Sequence, residues 1–233
     1  MSQQAFIRLA DQRCYAIEIN AGNGEVWLVA SISEDKARYV VDFTAPFLAI
    51  PRPLSSPEVW QRYWLITYGF SPHQLALYSD FLVDIDFVIE MKKQLRKPRS
   101  AEPIPPAGVL LRMLHWLVRR EESNGVGVLY HAPWAIVGAM NDQGALAGIQ
   151  RYRIEDAEDL PYYLLIGRKL LGDQKSVLYV GGDEAIHEAS TVEPVTAHYE
   201  GIYPLAMDHL WRKGTSSIPI ALRPYAGIIL CVS

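Results

Sequence analysis

The sequence predicts a mixed α/β fold built twice over: two similar halves, each running βββαβαβα, with a cleft between them. Three observations predict it. The stretch at residues 154–183 has a second copy about a hundred residues earlier, each half opens with short apolar runs separated by turn residues, and Asn124-Gly125 marks the point where the series restarts. A recurring unit constrains the whole topology before any single motif does. In the later copy, Glu155-Asp156-Ala157-Glu158-Asp159 opens a helix and Leu160-Pro161-Tyr162-Tyr163-Leu164-Leu165-Ile166 is its apolar body. Gly172-Asp173 stops that helix, and Ser176-Val177-Leu178-Tyr179-Val180 is a buried strand ending in Gly181-Gly182-Asp183. Glu58, Tyr63, Leu65 and Ile66 align with Glu158, Tyr163, Leu165 and Ile166 at an offset of 100, and two residues are then gained before Tyr78 meets Val180. The halves are expected to divide as 1–122 and 125–233.

Taken in order, residues 14–19 read as a strand reaching Asn20-Ala21-Gly22-Asn23-Gly24, because Asn-Gly between apolar runs tolerates the positive φ of a tight turn. Residues 26–30 and 38–43 complete an expected three-stranded antiparallel meander. Pro46, Pro51, Pro53 and Pro57 forbid regular structure until Ser56, a helix cap with Pro57 at the first helical position. A helix over 57–68, a strand over 75–79, a second helix over 84–96 and a third over 108–122 follow. In the second half, strands are expected at 126–130, 134–139 and 145–152, then the helix and strand of the repeat, then a short helix at 184–189. Glu193-Pro194-Val195 matches Glu102-Pro103-Ile104, and Met207 and His209 in a last helical region match Met113 and His115 at an offset of 94. A meander followed by strand–helix alternation implies a mixed sheet covered by helices.

Half of the 233 residues are hydrophobic and 21% are charged, enough apolar material for a large core and too little charge for a disordered chain. A net charge of −4 gives no electrostatic reason to expect nucleic acid. Cys14 and Cys231 lie in apolar runs without metal or redox spacing, and are read as buried thiols in a reducing compartment. Met1-Ser2-Gln3-Gln4 lacks the basic start and apolar stretch of a signal peptide, and no run reaches the length of a membrane span. A cytoplasmic protein is expected.

Several residue groups have a chemical and a structural reading. Asn20–Gly24 is either a phosphate-cradling loop or an ordinary hairpin turn, and Gly181-Gly182 either a nucleotide contact or a strand-end turn. His187, His198 and His209 recur every eleven residues without the short spacing of metal ligands, and no metal site is assigned. Glu155, Asp156, Glu158 and Asp159 complement a helix dipole rather than form paired catalytic carboxylates. The basic run at 92–99 is a solvated helix end or a surface for an acidic partner or anionic membrane. Trp60, Tyr63, Trp64 and Tyr68 fall on one helix at core spacing, and any exposed part would be a docking surface.

A duplicated meander with alternating helices and strands resembles the actin-like ATPase fold, a ribonuclease H-like architecture. Within that superfamily the chain is similar to the PilM, GspL and MshI proteins of pilus and type II secretion assembly. It also resembles a group of uncharacterised bacterial proteins, through Asp159-Leu160-Pro161-Tyr162-Tyr163-Leu164-Leu165, Leu178-Tyr179-Val180-Gly181-Gly182-Asp183 and Leu230-Cys231. The resemblance implies ATP in the cleft, held by an Asp-x-Gly hairpin after the first strand, a second hairpin in the other half, and paired glycines under the adenosine. Carried onto this chain, the site would be Asn20, Gly22 and Gly24 with Gly181, Gly182 and Asp183. Asn20 stands where the acid is expected, and His131-Ala132-Pro133 has neither Asp nor Gly. The expectation is therefore a non-catalytic scaffold with no cofactor required, ATP being optional. Its partner would be a protein, through a peptide segment of a membrane-anchored assembly component, which would hold the chain at the inner face of the membrane. The alternative is an ATP-dependent kinase or ATPase using the cleft.

Overall fold

The structure, a computed structural model, describes residues 2–20, 22–29, 37–72, 74–90, 101–172, 174–187, 189–211 and 218–232. The first part of the chain supplies β1 (Ser2–Arg8), β2 (Cys14–Asn20), β3 (Glu25–Val29), β4 (Tyr39–Asp42), β5 (Phe47–Pro51), α1 (Pro57–Tyr68), β6 (Leu75–Asp80), β7 (Ile85–Glu90), β8 (Glu102–Pro103) and α2 (Pro106–Glu121). The second supplies β9 (Asn124–His131), β10 (Trp134–Met140), β11 (Leu146–Arg153), α3 (Leu160–Lys169), β12 (Ser176–Gly182), α4 (Ala189–Val192) and β13 (Gly201–Pro204). A run of 3-10 turns at Ile220–Ile228 leads into α5 (Ile229–Val232).

Two five-stranded sheets share one topology. One has the order β3-β2-β1-β4-β8 and the other β11-β10-β9-β12-β13. In each, three strands form an antiparallel meander and two more add in parallel beside its first strand. A third, antiparallel sheet, β5-β7-β6, is inserted with α1 between β4 and β8.

The first meander begins one strand earlier than expected. Its members are β1, β2 and β3, and residues 39–42 are a parallel strand on the other side of β1. The signal was present in Ala5, Ile7 and Leu9, which are fully buried at alternate positions. The offset of 100 joined the wrong elements for a related reason. Helix α1 and strand β6 belong to the inserted sheet, whereas α3 and β12 lie on the crossover within the second sheet. By position in the sheets, β12 answers to β4 and β13 to β8. Glu193–His198 is a 3-10 segment rather than a strand, and Asp208–Leu210 is a single 3-10 turn. The segment from Ile220 onward takes the place after β13 that α2 takes after β8.

The helix expected over 84–96 is instead strand β7 as far as Glu90, and 91–96 lie outside the described residues. Every residue of β7 is buried, because α1 covers one face and the main body the other. A strand covered on both sides loses its alternation and reads like a buried helix. The other helices follow local chemistry. Ser56 Oγ accepts the Val59 amide at 3.4 Å, Pro57 opens α1, and Gly69 closes it in the left-handed conformation at φ 73°.

The largest core lies between the two five-stranded sheets. It joins Ile7, Ile17 and Ile19 of the first sheet to Leu110, Met113 and Leu114 of α2, Leu129 and Ile136 of the second sheet, and Tyr225 and Ile228. A second core places Leu160 and Leu164 of α3 on Val126, Val128 and Val137. A third, small one packs Trp64 on Ile50 and Val88. Where α2 meets the last segment, a Cβ on Gly227 would collide with the Met113 side chain, so this glycine sets how closely the two approach.

Candidate functional site: a carboxylate between two hairpins

The shared topology puts the hairpin after β1 and the hairpin after β9 at corresponding ends of their sheets. The first is the turn through Asp11, Gln12 and Arg13, closed by Leu9 N to Arg13 O at 2.9 Å. The second is Ala132-Pro133. Asp183, directly after β12, joins them. Its Oδ2 accepts the Ala132 amide at 3.0 Å, its Oδ1 lies 2.8 Å from His131 Nδ1, and Arg13 Nη2 reaches that same Oδ1 at 3.5 Å. The Asp183 amide in turn donates to Tyr130 O at 2.8 Å.

Burial alone would raise the Asp183 carboxyl, but the hydrogen bond and charge of His131, the Ala132 amide and Arg13 outweigh it and hold it below the usual carboxylate range. An ionised carboxylate only accepts, so His131 carries its hydrogen on Nδ1. The imidazole is 1% exposed. Phe43 meets it edge-on at 4.7 Å, and Tyr225 stacks on it at 5.9 Å. Nearby, Asp42 accepts the Thr44 amide at 2.8 Å and hydroxyl at 2.6 Å, and Arg8 at 3.3 Å. A further tie crosses from the second sheet: Arg151 donates to the carbonyls of Phe43 and Ala45, both at 3.1 Å, with its guanidinium 3.9 Å over the Trp134 ring.

The six residues expected to hold nucleotide are not brought together. Gly181, Gly182 and Asp183 stand at the hairpin end of the second sheet. Asn20 pairs with Ser2 and Cys14 with Arg8, so Asn20, Gly22 and Gly24 lie at the other end of β2, about 20 Å of strand away. There Asn20 Oδ1 accepts the Gly22 amide at 3.1 Å as an ordinary turn. Both later glycines are buried against protein: a Cβ on Gly181 would come within 2.7 Å of Pro224, and one on Gly182 would strike the Tyr130 carbonyl. The hairpin end of the sheets is also richer in acids than the sequence suggested. Asp11, Asp42 and Asp183 are all there, each engaged by a partner: Asp11 and Asp183 share Arg13, Asp42 meets Arg8, and Asp183 also accepts from the His131 ring. A magnesium–phosphate group would have to displace Asp183 from the Ala132 amide and break these pairs, so the residues as placed do not fit it.

Asp11 and Arg13 were missed as site residues because β1 was missed, whereas His131 was placed in the second hairpin but given no role. Once Ala5, Ile7 and Leu9 are read as a strand, Asp11-Gln12-Arg13 becomes the first hairpin. Of the three recurrent histidines, His209 stacks on Trp116 at 5.8 Å, His198 is exposed at the end of a 3-10 segment, and His187 ends another. Among the described residues no group of three or more His, Cys, Asp or Glu is placed to hold a metal. The acidic residues before α3 form a turn in which Asp156 Oδ1 accepts the Glu158 amide at 3.1 Å. The basic run at 92–99 lies outside the described residues. No described helix is long and apolar enough to cross a membrane.

No family model and no curated protein matches the chain. Solved structures do. A protein from Bacteroides thetaiotaomicron VPI-5482, with an actin-like ATPase fold and unknown function, is similar at a TM-score of 0.74 and 13% identity, covering 98% of this chain and 96% of that one. The PilM–PilN type IV pilus biogenesis complex is similar at a TM-score of 0.55 and 12% identity, covering 99% and 97%. Identities this low speak for fold and not for activity. With two sheets of one topology packed on either side of a shared core, the chain has the actin-like ATPase fold.

Proposed function

We propose that this chain is a non-catalytic scaffold in a bacterial pilus or secretion assembly, holding a peptide segment of a membrane-anchored partner at the inner face of the membrane. Residues 1–122 and 125–233 are read as two versions of one unit. The observation that carries the non-catalytic reading is Asp183. Its carboxylate takes the hairpin amide that a phosphate would need, and Arg13 and the His131 ring hold it in place. Phosphoryl transfer depends on magnesium and on unengaged donors aimed at the phosphate oxygens. The assembly setting is supported by the fold shared with PilM, which is solved in complex with PilN.

Thermal unfolding with and without magnesium ATP tests the reading. A ligand at a hundred times its Kd stabilises by about 2.7 kcal/mol, so binding at millimolar ATP would move the midpoint by degrees. No shift and no phosphate release are expected. A clear shift accompanied by turnover would establish the ATP-dependent enzyme instead.

A further inference from the structure

The outer face of α2 gathers cations in a chain whose net charge is −4. Arg112, His115, Trp116, Arg119 and Arg120 recur at the three- and four-residue spacing that puts side chains on one helix face. With Leu82 and Leu230 they line a depression of about 580 Å³, and among the described residues no carboxylate lines it, Glu122 and Asp142 lying in a separate hollow that Arg119 also borders. Asp80 is wholly buried and bonded to Arg112 Nε at 2.8 Å, which fixes that guanidinium as a wall of the depression. Glu121 bonds Arg120 Nε at 2.7 Å, but it belongs to the wall of a neighbouring hollow, and a pair this exposed is weak. Arg119 donates to the Gln143 carbonyl at 3.4 Å and has no ion pair among the described residues. His115 registers the field: burial, then Arg119 and Arg112, hold its pKa below the ordinary value.

Trp116 supplies the apolar part of the surface. Arg120 lies 4.5 Å over its ring, and His209 stacks on it at 5.8 Å. Beyond this ridge the neighbouring hollow continues along Leu117, Val177, Tyr179 and the half-exposed Tyr203. The groove is remote from Asp183. Helix α2 runs directly into the start of β9, whereas the His131 hairpin leaves its far end, about 25 Å of strand away.

We propose that this groove binds an acidic peptide segment of a partner protein. Its carboxylates would engage Arg112, Arg119 and Arg120, and an apolar side chain would rest against Leu82, Leu230 and Trp116. Guanidinium forks match carboxylates in two-point geometry. Tryptophan and arginine beside aliphatic walls are the composition of a protein-binding hot spot. Nucleic acid would call instead for cations spread along a backbone track on a basic surface. The site acts irrespective of whether the cleft takes nucleotide.

The test is a titration of the full chain, followed by tryptophan fluorescence, with a synthetic Glu-Asp-Leu-Asp-Glu peptide and its Gln-Asn-Leu-Asn-Gln counterpart. A single-stranded oligonucleotide and vesicles containing phosphatidylserine serve as comparison ligands. Saturable binding of the acidic peptide is expected, weakening with added salt and absent for the neutral peptide. Arg119→Ala, at an exposed position, is expected to weaken it about tenfold, Arg119→Lys less, and Trp116→Phe is expected to abolish the fluorescence response. The proposal is overturned if the acidic peptide fails to bind at about 1 mM in low salt, or if the neutral peptide binds equally. It is equally overturned if Arg119→Ala leaves binding unchanged, or if oligonucleotide or vesicles bind more tightly with the same dependence on Arg119.

Discussion

Asp183 and His131 meet at 2.8 Å, oxygen to Nδ1, with the imidazole sealed between Phe43 and Tyr225. This contact gathers β9, β12, the loop after β4 and the last helical segment around one charge. It makes the end of the cleft a built part of the fold.

Asp183→Asn is expected to destabilise the protein by about 1–3 kcal/mol near neutral pH, because a part-buried charge-assisted acceptor is lost. The folded carboxyl lies below its unfolded value near 4. Its contribution is therefore fully present above the unfolded pKa and disappears as pH falls through the folded one. Urea unfolding at a series of acid pH values should show a shallower loss of stability in the variant than in the parent. Equal slopes would mean that Asp183 is not the group titrating.

Gly182 and Gly227 are both crowded, but by different things. Gly182 has φ 121° and faces the Tyr130 backbone, so Gly182→Ala should cost about 3 kcal/mol or more or prevent folding. Gly227 faces the flexible Met113 side chain, which can move, and Gly227→Ala should cost about 1–3 kcal/mol. Denaturation midpoints that reverse this order would contradict the packing described.

Arg151 ties the second sheet to the carbonyls of Phe43 and Ala45. Removing it leaves two carbonyl acceptors without their donor and takes the guanidinium off the Trp134 ring, and Arg151→Ala should destabilise by about 2–4 kcal/mol. Hydrogen exchange should quicken around 42–47 more than in the small core beneath α1. A uniform change across the chain would argue that the tie is not local to the cleft.

The aromatic stripe on α1 separates into two roles. Trp64 is 0% exposed and anchors the small core with Ile50 and Val88, so Trp64→Ala should cost about 3–5 kcal/mol. Tyr63, 53% exposed on the same helix, should tolerate Ser within about 0.5 kcal/mol. Calorimetry of both variants checks the contrast, which a fully covered helix would not show.

The two cysteines should differ in chemistry. Burial pushes the Cys231 thiol up to about 12, whereas Cys14 is exposed. Contrary to the expectation that both are buried, Cys14 is open to reagent, and iodoacetamide at neutral pH should label it well before the part-buried Cys231, since the thiolate is the reactive form. Mass spectrometry of the digested protein reads the outcome directly.

The second half was the more legible in sequence. Strands β9, β10 and β11, helix α3 and strand β12 fall close to where turn residues and apolar runs placed them, as do α1, β6 and α2 in the first. The misreadings have physical causes. β1 stands at the very start of the chain with no turn signal before it, and β7 hides its period because both faces are covered. The repeat was aligned on chemistry that recurs locally, an acidic start and an aromatic body, whereas the structural equivalence lies in positions within a sheet.

Periodicity, caps and turn residues are local properties, and from them the sequence by itself determined most elements and the mixed α/β class. Which hairpin faces which, and which carboxylate finds which cation, depends on strands that add in parallel only after long crossovers. No local pattern records that distance: Arg13 and Asp183 are 170 positions apart and meet only because two sheets close around α2. The tertiary structure alone therefore decided that the conspicuous Asn20–Gly24 turn stands at the far end of β2, and that the cleft keeps its acids in paired form.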